Sequence, residues 1–202
     1  MNRRRICPRS RDEVRVGNLV DALEASLCHG KPPSLPGAPI PDNEPINHFH
    51  SRWYPRMSAR ALMQFIVHAR LAFDWTTVAI AVSLVQRIRR SHGSSSVTPH
   101  MLHRLLIGLL VVATKAHNDR IPTNGLVAKV VGISKGELAR MEAQACRALA
   151  WRAQVHHDDL VRDEADLCGC SLHIDGQHLP SPCAASDAPL GPGSTRSTTP
   201  LS

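Results

Sequence analysis

Aromatic side chains are scarce in this chain: three Phe, three Trp and one Tyr among 202 residues. A β-sandwich of this size draws on aromatic and β-branched strands, so the shortage argues against one. Leu, Val, Ile, Ala and Met are left to build the core, which suits packed helices. A single Tyr also removes the rows of rings on which single-stranded nucleic acid stacks. Long apolar runs are lacking too. The most apolar stretch, LLIGLLVVA at 105–113, is far shorter than the roughly 20 residues of a membrane span, and it reads as a helix buried in a protein core. The N-terminus, MNRRRICPRSRDE, has no apolar segment behind its basic start. No secretory leader is therefore expected, and the cysteines are read as reduced thiols of an intracellular protein without a membrane anchor.

Motifs that carry chemistry are equally sparse. There is no Gly-rich phosphate loop and no nucleophile elbow. The 12 histidines are dispersed, and none stands at a spacing that supplies a nucleophile or a metal with partners. The segment CGCSLHIDGQHLPSPC near the C-terminus fits no common zinc spacing. No catalytic residue, metal site or cofactor is expected, and the chain is not read as an enzyme.

Acidic residues are thin in one region. Residues 49–152 hold 15 Lys and Arg against 4 Asp and Glu, a net +11, whereas residues 1–48 carry +1 and residues 153–202 carry −5. A basic body attracts acidic protein surfaces, phosphorylated groups or nucleic acid.

What is present is helical. Val16, Leu19, Val20, Leu23 and Leu27 fall at helical spacing and predict an amphipathic helix over 12–27. The Pro-rich KPPSLPGAPIPDNEP that follows cannot continue it and reads as a linker. Five further helix signals come in series. Ser58 is a good N-cap for a helix over 59–73, and Asp74 for one over 75–90. Thr98-Pro99 opens the apolar helix that ends near Lys115. Thr123 to Val131 suits a short helix stopped by Gly132. Ser134 and Glu137 form a capping-box pattern for a last helix reaching Trp151. From His156 the chain is acidic, then rich in Pro, Gly, Ser and Thr, and is expected to be disordered. The expected organisation is an N-terminal helix and linker over 1–48, a helical domain over 49–155 and a tail over 156–202.

Four landmarks in order carry a resemblance: FHSRWYPRMS with Phe49, Ser51, Pro55, Met57 and Ser58; HRLLIGLLVVATKAHND from His103 to Asp119; AKVVGIS from Ala128 to Ser134; and ELARME from Glu137 to Glu142. Together they resemble the cyclin box, in particular the single-box cyclins of the P/U group, related to fungal phosphate-response cyclins. The likeness spans Phe49 to about Val155. It implies an all-α fold, a five-helix cyclin box with an additional N-terminal helix that helps hold a kinase. It also implies a function: binding and allosteric activation of a cyclin-dependent protein kinase as a heterodimer, in cell-cycle or nutrient signalling. Cyclins pair a lysine at the end of the third box helix with a glutamate in the fifth, and both reach the kinase. The matching residues are Lys115 and Glu142. The family's arginine and aspartate bridging the first two box helices are replaced by Gln64 and Gln86, between which an amide–amide hydrogen bond could stand in for the ion pair. Two other readings stay open: a kinase-independent scaffold with a degenerate box, and a cyclin-fold protein that binds nucleic acid. The latter is the less expected, because such proteins resemble a tandem of two boxes.

Overall fold

In the computed structural model, which describes residues 10–28, 47–51, 55–69, 71 and 73–169, helices begin where the sequence places capping side chains. Seven α-helices follow one another: α1 Arg11–Cys28, α2 Ala59–His68, α3 Trp75–His92, α4 Pro99–His117, α5 Asn124–Val131, α6 Lys135–Ala148 and α7 His157–Cys168, with a 3₁₀ turn at Ser94–Ser96 between α3 and α4. No strand occurs among the described residues. The Pro-rich linker and the CGCSLHIDGQHLPSPC segment lie almost wholly outside them.

The caps explain the starts. Ser58 Oγ accepts the Ala61 N–H at 3.2 Å, and Asp74 Oδ1 accepts the Thr77 N–H at 2.7 Å. Thr123 Oγ1 takes the Leu126 N–H and Ser134 Oγ the Glu137 N–H. Each satisfies a donor that the first helical turn leaves open. Only half of the expected capping box at Ser134 forms, because the Glu137 carboxylate turns to Arg104, 2.5 Å away. That arginine holds the Glu137 carboxyl below its ordinary pKa. Thr98 differs from the other caps: its Oγ1 makes no capping bond and is buried without a partner. Ser134→Ala is accordingly expected to cost about 1 kcal/mol. Thr98→Val, which removes a buried hydroxyl that bonds to nothing, is expected to cost nothing measurable. Urea unfolding of the two variants checks the contrast.

Two helices end earlier than their periodicity suggests. α2 stops at His68 rather than near Phe73. The His68 ring takes the Gln64 carbonyl, the Ala69 N–H is shared between the Phe65 and Ile66 carbonyls, and Leu71 and Phe73 turn into the core. α6 stops at Ala148. The Trp151 N–H reaches back to the Cys146 carbonyl and the Ala150 N–H to that of Arg147, with Ala150 at φ 49° and Trp151 at φ 62°. This is a Schellman termination without the glycine that ordinarily marks one in a sequence.

α4 is the centre of the fold. It is buried almost continuously from His100 to Thr114 and packs against α3 and α6, while α1 lies on α3 and α2. At Gly108 α4 passes close to the α6 backbone: a Cβ there would stand 3.4 Å from both the Met141 carbonyl oxygen and the Phe49 ring. Among the described residues, no helix is long and apolar enough to cross a membrane.

α7 corrects an expectation. Residues 157–168 are helical rather than the start of a disordered tail. Apolar patterning gives little sign of this helix, because arginines on other helices hold it: Arg87 meets Asp159 at 3.2 Å, Arg90 pairs with Asp163, and Arg15 with Glu164. From residue 170 onward the chain lies outside the described residues.

A buried histidine sets a pH dependence. His103 Nε2 lies 2.6 Å from the Met57 carbonyl, and an acceptor there requires Nε2 to carry the proton. Nδ1 is buried without a hydrogen-bond partner. Burial pushes the His103 pKa below its ordinary 6.5, against the opposing pull of the Met57 carbonyl and Glu24. The unfolded chain therefore takes up a proton that the folded chain refuses. Stability is full above pH about 6.5 and declines as pH falls from there through the lower folded value. His103→Gln keeps a donor for Met57 and cannot titrate, so it is expected to flatten the fall in unfolding free energy between pH 7 and 5. An unchanged slope would assign the effect to other groups.

Candidate functional site

Lys115 stands in the last turn of α4, where positive charge complements the helix C-terminus. Glu142 lies on α6, on the flank of the buried stripe formed by Leu138, Met141 and Ala145. Packing of α6 on α4 brings the two together from 27 positions apart in sequence: Lys115 Nζ donates to Glu142 Oε1 at 2.5 Å. Asn124, the first residue of α5, donates from Nδ2 to the other oxygen, Oε2, at 2.7 Å. The carboxylate is thus fixed from two sides. The pair is neither buried nor free in solvent, with side chains 35% and 19% exposed. One of three Lys115 donors is used, and each Glu142 oxygen keeps a lone pair. The arrangement can therefore donate to and accept from the backbone of a second molecule at one point.

Large apolar side chains stand uncovered on the segments that frame this pair. Ile121, just before α5, and Leu126, on α5, are about half exposed, and Trp151, past the end of α6, is 75% exposed. The strand of chain after Trp151 is tied to the end of α4, where the Val155 N–H donates to His117 Nε2 at 3.3 Å. Cys146 lies one turn beyond Glu142. Burial, with the Glu142 charge adding to it, pushes its thiol pKa up despite Lys115, so the unreactive thiol form dominates.

Gln64 and Gln86 do not bond to each other. Gln64 Nε2 donates to Glu13 Oε1 at 3.4 Å, and Gln86 Oε1 accepts from Arg89 Nη1 at 3.0 Å, the same nitrogen that reaches Ser26 Oγ at 2.9 Å. The expected amide–amide pair is replaced because α1 packs over both helices and offers Glu13 to Gln64 and Ser26 to Arg89. Gln64 thus joins the box to the N-terminal helix directly, while Gln86 does so only through Arg89 of its own helix.

Sequence reasoning missed Asn124, Ile121, Leu126 and Trp151. Asn124 was legible only as the residue after the Thr123 cap, and Trp151 was absorbed into the α6 pattern. Among the described residues, no group of three or more His, Cys, Asp or Glu could hold a metal ion.

Comparison with known proteins agrees with this architecture. The family model described as Cyclin matches residues 17–153, from within α1 to just past α6. Cyclin-P1-1 of Oryza sativa subsp. japonica is 26% identical over 91 residues, which cover 45% of this chain and 34% of that protein. The similarity therefore spans about a third of the relative's length.

Proposed function

This chain belongs to the cyclin family, and we propose that it is a regulatory subunit that binds and allosterically activates a cyclin-dependent protein kinase as a heterodimer, in cell-cycle or nutrient signalling. Cyclins are regulatory rather than catalytic subunits, and the chemistry belongs to the kinase. The observation that carries the reading is the Lys115–Glu142 pair, braced by Asn124 and partly open to solvent. A lysine donor beside a carboxylate acceptor suits the end of a helix, where backbone N–H and C=O groups lack partners. Ile121 and Leu126, exposed on the segment whose Asn124 braces Glu142, supply apolar contact beside such a polar grip. In this mechanism the box packs against the kinase's mobile helix and holds it inward. The kinase's own Lys–Glu ion pair then closes and its activation loop orders.

The experiment is affinity purification of the tagged chain from its own cells, with partner identification and a kinase assay on the eluate. A co-purifying cyclin-dependent kinase that is lost with Lys115→Ala and Glu142→Ala supports both function and site. A clean preparation without a kinase overturns the reading and leaves the degenerate-box scaffold.

A further inference from the structure

We propose that α7 is a strap held by charge, which undocks from α1 and α3 as a unit while the rest of the helical domain stays folded. Two independent observations point to it. The first is how little apolar surface α7 commits. Ala165 is its one buried apolar side chain; Leu160 and Leu167 are only half-buried, and Val161 is exposed. Between it and α1 and α3 a partly open cleft of about 150 Å³ remains, lined by apolar Val16, Leu19, Trp75 and Leu160 and by charged Arg15 and Glu164 among others. Close-packed helices leave no such space. Side chains bordering a void forfeit the dispersion contacts that would fasten the helix.

The second observation is what replaces those contacts. Three arginines on α1 and α3 meet four carboxylates on α7. Arg15 grips Glu164 with both sides of its fork, Nε to Oε1 at 2.7 Å; Arg87 meets Asp159 at 3.2 Å; Arg90 pairs with Asp163 and lies 3.8 Å from Asp166. Asp163 is nearly fully buried and also accepts the Ser83 hydroxyl. The more exposed of these pairs, Arg15 with Glu164 and Arg90 with Asp166, are individually weak and screened by salt, the pairs at Asp159 and Asp163 less so, whereas the apolar core around α4 does not depend on charge. Electrostatics thus fasten one helix, and burial fastens the others.

The hinge is also defined. Arg87 Nη1 donates to the Arg152 carbonyl at 2.6 Å and to the Gln154 carbonyl at 2.7 Å, and Val155 is buried. The approach to α7 is therefore anchored by Arg87 Nη1, while Nη2 of the same side chain meets Asp159, so undocking about His156 breaks the second contact and can leave the first in place. Opening removes the carboxylates that neutralise Arg15 and Arg90, both already about half-exposed while α7 is docked, frees Arg87 from Asp159, and releases α1 from one of its attachments.

Hydrogen exchange of the full chain, read peptide by peptide, tests this at about 0.1 M and about 1 M salt, between which the screening length falls from roughly 10 Å to 3 Å. The expected result is that protection over 157–168 drops by about tenfold or more while α4 keeps its protection. Equal protection of α7 and α4 at both salts, or a parallel loss in both, overturns the proposal. Asp163→Asn at the lower salt supplies the second arm, because it keeps the shape and a partner for Ser83 but removes the charge. It is expected to speed exchange in α7 and not in α4. Unchanged α7 exchange in this variant also overturns the proposal, since charge would then not be what holds the helix.

Discussion

Truncating the charged pair, Lys115→Ala with Glu142→Ala, is expected to abolish capture of the partner kinase while leaving the protein folded. The two halves of that outcome rest on different magnitudes. Within the isolated chain the pair is a partly exposed ion pair, worth about 1 kcal/mol or less to stability. Its loss leaves behind no buried unpaired charge, because both partners go together. In the proposed complex with a kinase the same groups would become desolvated and bonded at an interface centre. Removing one partner of such a contact typically costs about 2–5 kcal/mol, or roughly 30-fold to several thousand-fold in Kd. The double variant is expected to fall short of the sum of the singles, since they act as a unit. Asn124→Ala separates positioning from contact. Asn124 bonds Glu142 Oε2 at 2.7 Å and itself faces the carboxylate, so its loss is expected to weaken binding by less than either charged truncation. Calorimetric titration against the purified kinase, with circular dichroism melts alongside, reads both halves. Undiminished affinity in a folded double variant would show that the kinase grips elsewhere.

The parts of this fold that local rules govern were legible before the structure. Ser58, Asp74, Thr123 and Ser134 are caps whose chemistry acts over three residues, and each starts a helix where the sequence placed it. The burial of α4 follows from an apolar run with no polar face. What escaped depends on contacts between distant segments. The partner of Gln64 was set by how α1 lies across α2, which no pattern within α2 encodes, whereas Gln86 takes Arg89 one turn along its own helix. α7 looked like an acidic tail because its stabilising partners, Arg15, Arg87 and Arg90, sit more than 70 positions upstream. α6 overran its true end on paper because Ala150 takes the left-handed position where a glycine would have announced the stop. The Lys115–Glu142 pair is an intermediate case. Nothing in its spacing marks it, and a resemblance carried it until α4 and α6 were seen to pack.

The glycine that interrupts the apolar run governs that packing, and substitutions there are expected to diverge sharply. A methyl at position 108 would touch the Met141 carbonyl oxygen and the Phe49 ring at 3.4 Å, a tight fit that small adjustments absorb. Gly108→Ala also gains up to about 1 kcal/mol of helix propensity, so it is expected to be neutral or mildly stabilising. Gly108→Leu is different. Its branch must enter space held by the α6 backbone, which cannot swing aside as a flexible side chain can. Overpacking of this kind costs about 1–3 kcal/mol and sometimes more, a melting temperature lower by roughly 3–12 °C for a chain of this size. The displacement also has a direction. Met141 immediately precedes Glu142, so pushing α6 away from α4 pulls the carboxylate from Lys115, while α5, packed on α6, can carry Asn124 along with it. The leucine variant is therefore expected to lose kinase affinity even at temperatures where it is fully folded, and the alanine variant to keep it. Equal affinities for the two, with the leucine protein folded, would mean that the spacing of α4 and α6 does not position the pair.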